Sequence, residues 1–441
     1  MTMARSKPVS EIMSEYMTRR SAMDPRHALM REMLQFYNGE VPIPLPELSM
    51  NERPAVANLI RQGVNQYAMR LVSAKPQIVL PPSNDKDAAR RRAAKRRGAL
   101  MAWQSRGDLS LLEMKRAREL IGFGFSVMEV RWDVKGNCPK WRYRNPMHAF
   151  PPARMGIALM QPPSMLYAYT ESVAWMSQAF PEEFASLAHS RPAHAQMEVI
   201  EWVDENERVF LCRDVAQHGS GREWADGTPY MMAGYGAQLG DRPVFEVKRI
   251  PNLLGECPAT VIETVGLGMP QGEFEQLKGI WLAQARTFAL EMRAIEMGIF
   301  PDTYVTSNPG EVGSVVTPAD GLAGQLGVIA HGGIQQLQSQ PGYMTSSLID
   351  NLERAMRVGG GISSEFSGES PSNVRTARRG SAVLSESVSF RVAENQAILA
   401  KALQKECVLA LRTARAYGGN NTYPNTPNLS LIHISEPTRP Y

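Results

Sequence analysis

Apolar and polar positions follow two periods along this chain, and the balance between them changes near Gly272. Before that point short β-prone runs broken by turns dominate. "FSVMEVRWD", the turn "VKGN" and "PKWRYRN" predict one hairpin, and "MEVIEWVDENERVFLCRD" predicts a second with a polar "DENE" turn. "MLYAYTESVAWMSQAFPEEFASLA" predicts a strand followed by a small helix, and "FEVKRIPNLLGECPATVIETVG" returns to strand. Helical spacing frames these strands. "HALMREMLQFYNGE" predicts a helix stopped at Asn38-Gly39, a pair suited to the left-handed turn that closes helices. Ala57, Ile60, Val64, Tyr67, Leu71 and Val72 form a helical stripe halted by Pro76, and "QIVLPP" then predicts a short strand. Residues 85–106 predict a strongly basic helix, and "SLLEMKRARELIGFG" predicts another, closed by Gly122 and Gly124. The strand connections are short, so antiparallel pairing and one mixed α/β domain over residues 1–271 are expected.

Past Gly272 the helical period takes over. Leu277, Trp281, Phe288, Met292, Ile295 and Ile299 recur at steps of three and four, with one gap, and predict a long amphipathic helix. A β-prone piece punctuated by Asn308-Pro309-Gly310 and Gly332-Gly333 follows. "MTSSLIDNLERAMRVGG" predicts a second helix, with Ser346 or Ser347 as cap and Asp350 as the box partner of Ser347. After the polar stretch "ISSEFSGESPSN", residues 374–418 read as one helix about 65 Å long if straight, with Gly380 as the natural kink. Its stripe runs through Leu384, Val388, Val392, Asn395, Leu399, Leu403, Cys407, Ala410, Ala414 and Tyr417. The fold class is α+β.

Composition narrows the function classes. The net charge of +4 over 441 residues does not by itself argue for nucleic acid. Charge is instead local: Arg90, Arg91, Arg92, Lys95, Arg96 and Arg97 fall within about two helical turns. That patch is either a contact for DNA or a partner protein, or a solvated helix face. Cys138, Cys212, Cys257 and Cys407 are far apart and lack metal spacing, which predicts free thiols in a reducing compartment. No apolar run is long enough for a membrane span, and the basic N-terminus lacks the apolar core of a signal peptide. There is no phosphate-binding G-x-x-x-x-G-K-[ST], no H-E-x-x-H and no G-x-S-x-G, and the histidines are scattered. No enzyme, metal or cofactor is expected.

The order of parts resembles the portal proteins, the head-to-tail connectors of tailed double-stranded DNA phages. "MLQFYNGEVPIPLP", "NERPAVANLIRQGVNQYAMRLVSAKPQI", "RARELIGFGFSVMEVRWD" and "NLLGECPATVIE" resemble successive local features of that family. The resemblance implies an N-terminal segment and α/β wing over 1–271, a stem helix over 272–298 and a clip over 299–345. It further implies a second stem helix over 346–361, a tunnel loop over 362–373 and a long kinked wing helix over 374–418. Residues 419–428 would begin a crown. It implies a ring of about a dozen copies at a capsid vertex, assembled in the host cytoplasm, through which DNA is packaged and ejected. Terminase, head-completion, capsid and scaffolding proteins are the implied partners. Leu277, Trp281, Phe288, Met292 and Ile295 would meet a neighbouring subunit, with the core of the chain itself as the alternative for Trp281 and Phe288. Arg354 and Arg357 would face the channel; Arg375, Arg378 and Arg379 would do so too, or pair with Glu365, Glu369 or a neighbour's acids. Phe366 would either touch DNA or pack on an adjacent loop. The competing reading is a nucleic-acid-binding helical scaffold protein that grips phosphate with the basic helix 86–106.

The tail "LSLIHISEPTR", Leu429 to Arg439, resembles translated sequencing-adapter read-through, with Pro440 and Tyr441 from whatever followed. That reading expects residues 429–441 to be an artefact and the crown to be cut off.

Overall fold

The computed structural model describes residues 6–41, 58–73, 77–152, 160–188, 191–215, 243–266, 269–299, 302–306, 326–329, 333–337, 343–360, 389–418 and 433–435. The chain is mixed α+β and divides into two compact units. One comprises Met1–Arg31, Gln66–Gly272 and Phe390–Tyr441; the other comprises Glu32–Asn65 and Glu273–Ser389. The boundary at Gly272 coincides with the change of hydrophobic period. The continuous 1–271 segment expected from sequence is interrupted, because Glu32–Asn65 groups with the second unit.

The first unit is built on two antiparallel sheets. In one, β2 (Phe125–Asp133) lies between β3 (Cys138–Arg144) and β9 (Ala259–Glu263). In the other, β4 (Ala149–Phe150), β5 (Met165–Ser172), β6 (Gln196–Val203), β7 (Glu207–Asp214) and β8 (Phe245–Pro251) follow in order. Both predicted hairpins are present, β2–β3 and β6–β7. The segment read as a return to strand splits instead between the sheets, as β8 and β9. β2 is buried on both faces along its first six residues, so its apolar run does not alternate. Phe125 and Val127 join a core with Leu166, Ile200, Trp202 and Leu211. Met128 and Val130 face a second core.

Helices complete both cores. α1 (Val9–Asn38) starts well before the helix read from its last turns, and brings Ile12, Tyr16, Met23 and Met30 into the first core. It ends at Gly39, whose φ of +74° is the left-handed stop expected there. α2 (Leu59–Ser73) precedes a short β1 (Gln77–Val79). α3 (Asp87–Arg106) and α4 (Leu109–Phe123) follow. Gly122 lies inside α4, and Gly124 alone closes it, with φ +68°. A side chain at Gly124 would also lie 2.4 Å from the Gln271 carbonyl oxygen, so this close approach admits only glycine. Two short helices, α5 (Val173–Ala179) and α6 (Ala185–Ala188), follow β5, with the Ser172 hydroxyl capping α5 by accepting from the Trp175 N–H.

The second unit holds α7 (Lys278–Ile299), a three-stranded sheet and α8 (Tyr343–Gly360). In that sheet β10 (Asp302–Thr306) runs parallel to β11 (Leu326–Ile329) and antiparallel to β12 (Gly333–Leu337). α7 and α8 pack on each other. Because α8 begins at Tyr343, Ser346 and Ser347 are inside the helix, and the capping box read from sequence is not its start.

The last long helix, α9 (Ser389–Gly418), returns to the first unit. Its described part keeps most of the predicted stripe: Val392, Asn395, Leu403, Cys407, Ala410 and Ala414 are buried and Leu399 is half-buried, while Tyr417 in the last turn is exposed. Residues 374–388, with the kink expected at Gly380, lie outside the described residues, as does the glycine-rich stretch 216–242. In the terminal tail, β13 (His433–Ser435) pairs antiparallel with β1 over three residues. Any extended segment can form so short a ladder beside an open edge, so the pairing carries nothing about the tail's origin.

Candidate functional site

The apolar stripe of α7 divides in two. At 100° per residue, Leu277, Trp281, Gln284, Ala285, Phe288, Met292 and Ile295 share one face. Its N-terminal half is covered inside its own unit. Leu277, Trp281 and Ala285 are buried, and the Trp281 ring meets Phe36 edge-on at 5.5 Å. Leu277 also lies where a Cβ on Gly359 of α8 would come within 2.8 Å. Ion pairs hold the same end, with Lys278 Nζ 2.7 Å from Glu32 and 3.7 Å from Glu275. The C-terminal half is open. Phe288 is half-buried, while Met292 and Ile295 are 44% and 38% exposed. α8 repeats this division, with Met356 and Gly360 buried and Leu348 47% exposed.

For Trp281 the structure takes the core alternative, and Leu277 is buried beside it. Leu277 and Trp281 are used up within the chain, whereas Met292 and Ile295 keep apolar surface to bury. Leu290, 48% exposed, adds to that surface on the opposite side of α7. Periodicity identified the stripe but could not say where its cover ends, because the cover comes from distant residues such as Phe36.

Of the expected channel residues, Arg354 is exposed on α8. Arg357 is half-buried and pairs with Glu353 one turn earlier, at 2.7 Å. Glu365, Phe366, Glu369, Arg375, Arg378 and Arg379 lie outside the described residues.

The basic cluster lies on α3. Ala89, Ala93, Leu100 and Trp103 turn one face of this helix into the core. Arg90, Arg91, Arg92 and Lys95 are exposed, and Arg96 and Arg97 are half-buried. Arg90 has one distant ion-pair partner, Asp85 at 3.9 Å. Burial and the neighbouring Arg92 charge both lower the Arg96 pKa.

The structure also holds an ionic cluster that sequence reading missed. Glu129 of β2 and Glu201 of β6 are fully buried. Arg144 donates from Nε to Glu129 at 2.8 Å and from Nη2 to Glu201 at 2.7 Å. Arg131 pairs with Glu129 at 3.1 Å and Glu201 at 3.0 Å, and Arg208 of β7 donates to both carboxylates. Burial pushes the Glu129 carboxyl upward, but the Arg131 and Arg144 guanidiniums outweigh it and hold it below the usual carboxylate range. The available signal was charged residues set among apolar ones in four strands, "EVR", "RYR", "IEW" and "ERV". Charged positions alone read as a solvent face.

A second buried ion pair fastens α9. Arg116 Nη1 of α4 lies 2.6 Å from Glu406 of α9, and the Thr260 hydroxyl of β9 donates to the same carboxylate at 2.6 Å. Nearby, Glu119 accepts from the Ser126 hydroxyl at 2.8 Å. Burial raises its carboxyl to about 7, against the lowering effect of hydrogen bonds from Tyr143 and Ser126. A raised acid contributes stability that is full below its unfolded pKa of 4.5 and lost as pH rises through about 7. Glu119→Gln is therefore expected to gain about 3 kcal/mol relative to the parent between pH 4.5 and pH 8. Urea unfolding of both proteins at the two pH values measures this.

All four cysteines are buried, and burial pushes the thiols of Cys212 and Cys257 up to about 11 and about 12, away from thiolate reactivity. Burial lowers His27 to about 4, so it is neutral at ordinary pH. Among the described residues no group of three or more His, Cys, Asp or Glu could hold a metal ion, and no helix is long and apolar enough to cross a membrane.

No protein-family model matches the chain, and no curated protein matches it significantly.

Proposed function

We propose that this protein is the repeating subunit of a portal-type ring, a channel for double-stranded DNA at a capsid vertex. One observation carries the reading. The helix–sheet–helix of the second unit has apolar surface at Met292, Ile295 and Leu348 that its own chain leaves open. A ring with head-to-tail contacts covers such a surface on every copy, because each subunit presents a different patch to each neighbour. The order of parts supports the reading too: a mixed α/β unit, a long helix, a small sheet, a second helix and a long returning helix. In this reading the second unit is the stem and clip, and the ring passes DNA and docks terminase and head-completion proteins. The chain would do no chemistry of its own.

Negative-stain imaging and native mass spectrometry of the full chain test the proposal. Rings of about a dozen copies with a central hole are expected; a monomer or dimer at all concentrations rejects it. Within the ring, Met292→Asp with Ile295→Asp is expected to weaken each subunit contact by about 1–3 kcal/mol, given that both side chains are already partly covered. Sedimentation should then show subunits in place of rings, with an unchanged thermal midpoint for the subunit itself. Rings that persist in this variant place the contact elsewhere.

A further inference from the structure

We propose that the exposed face of α3 is a binding surface for the phosphate backbone of nucleic acid, without sequence preference. The inference does not depend on the ring. Charge on this chain is concentrated rather than spread. α3 carries seven basic residues and one acidic residue, Asp87, a balance of +6. The whole chain is only +4, so everything outside this helix is net −2.

The local arrangement has a cost that a polyanion removes. Arg91 and Lys95, and Arg92 and Arg96, are like-charge pairs one turn apart, which disfavours the helix. Among the described residues no carboxylate pairs with Arg91, Arg92, Lys95, Arg96 or Arg97. The neighbours Ala88, Ala94 and Gly98 on the exposed side are small and do not block a close approach to Arg91, Arg92 and Lys95, which are exposed; Arg96 and Arg97 are half-buried.

The chemistry of the face selects the partner. Insertion into a lipid surface requires a free apolar face, and that of α3 is buried on Ala89, Ala93, Leu100 and Trp103. Protein interfaces centre on buried aromatic or aliphatic anchors, and the stretch from Arg90 to Gly98 presents none. Rows of guanidinium and ammonium groups among small residues match phosphates, which position a protein without reading sequence. From Arg91 to Arg97 the helix rises about 9 Å, over which each strand of a duplex presents about three phosphates.

The test uses the full chain and a fluorescent, random-sequence DNA duplex, titrated between about 50 and 200 mM salt. Arg91→Gln/Arg92→Gln/Lys95→Gln is compared with Lys135→Gln/Lys140→Gln/Lys401→Gln, which removes as much charge from exposed positions elsewhere. The α3 variant is expected to bind at least about tenfold more weakly at low salt, and to lose about 2 to 3 units of the log–log salt slope. The control variant should stay within about twofold of the parent. On the unmodified protein, duplex should protect Lys95 from amine acetylation more than Lys140, read by mass spectrometry. Equal losses in both variants, equal protection of both lysines, or no duplex binding at low salt overturns the proposal. So does displacement of the duplex by polyglutamate of the same charge, which would make the surface a site for an acidic polypeptide. Sedimentation with anionic vesicles that depends on the α3 charges would assign it to a membrane and equally overturn it.

Discussion

Glu201→Ala should lower the unfolding free energy by about 3–5 kcal/mol. Glu201 is fully buried and is one of two carboxylates that balance three guanidiniums, those of Arg131, Arg144 and Arg208. Its removal leaves Glu129 as the sole anion among them. Arg144 is buried too, and both glutamates raise its pKa further against the lowering effect of burial, so it stays charged. A retained, unpaired charge in the interior is the costly outcome, more costly than never having had the pair. The cluster joins β2 and β3 of one sheet to β6 and β7 of the other, so the loss falls on the packing of the two sheets. Urea unfolding measures it, with an unchanged slope expected if the native surface is preserved. Domains are stable by about 5–15 kcal/mol in total, so the variant should populate unfolded forms at moderate temperature. A loss below about 1 kcal/mol would mean that water or a shift of the arginines compensates.

The second large effect is expected at Glu406. With Glu406→Ala, the Arg116 guanidinium loses its ion-pair partner at 1% exposure, and the Thr260 hydroxyl is left with the Met128 carbonyl at 3.3 Å. A loss of about 3–5 kcal/mol is again expected. Here, though, the effect should be directional. Glu406 is the polar tie between α9 and the α4–β9 surface, around which Leu120, Ile262, Ile398 and Ala402 pack. Amide exchange should therefore rise first along α9, ahead of β2 and β6, as local opening precedes global unfolding. The double change Arg116→Met/Glu406→Leu separates charge from shape. Replacing both partners with apolar groups of similar size is commonly near neutral, so the double variant should recover most of the loss. If it is as unstable as the single variant, packing rather than the ion pair is what Glu406 supplies.

Much of this molecule was legible without coordinates. β-prone runs broken by polar turns located both hairpins, and steps of three and four located α2, α7 and α9. Gly39 and Gly124 marked helix ends because few other residues adopt the left-handed turn each occupies. Six of the stripe positions read on α9 are buried, and the change of character at Gly272 marks a boundary between the two compact units. These are properties of neighbours in sequence. They follow from backbone geometry and from which side chains avoid water, and both act over a few residues.

Tertiary structure decided the rest, because it depends on which distant segments meet. Glu129 and Glu201 look like solvent-facing positions in their strands until three arginines from three strands converge on them. α1 extends back to Val9 because the two sheets offer a core for Ile12 and Tyr16 to fill. Trp281 and Met292 are equivalent in the pattern, one stripe on one helix. Phe36, hundreds of residues away, closes over the first and leaves the second open. An isolated stripe reports that something must be buried; what buries it is a long-range fact, set by packing between segments that the local pattern does not encode.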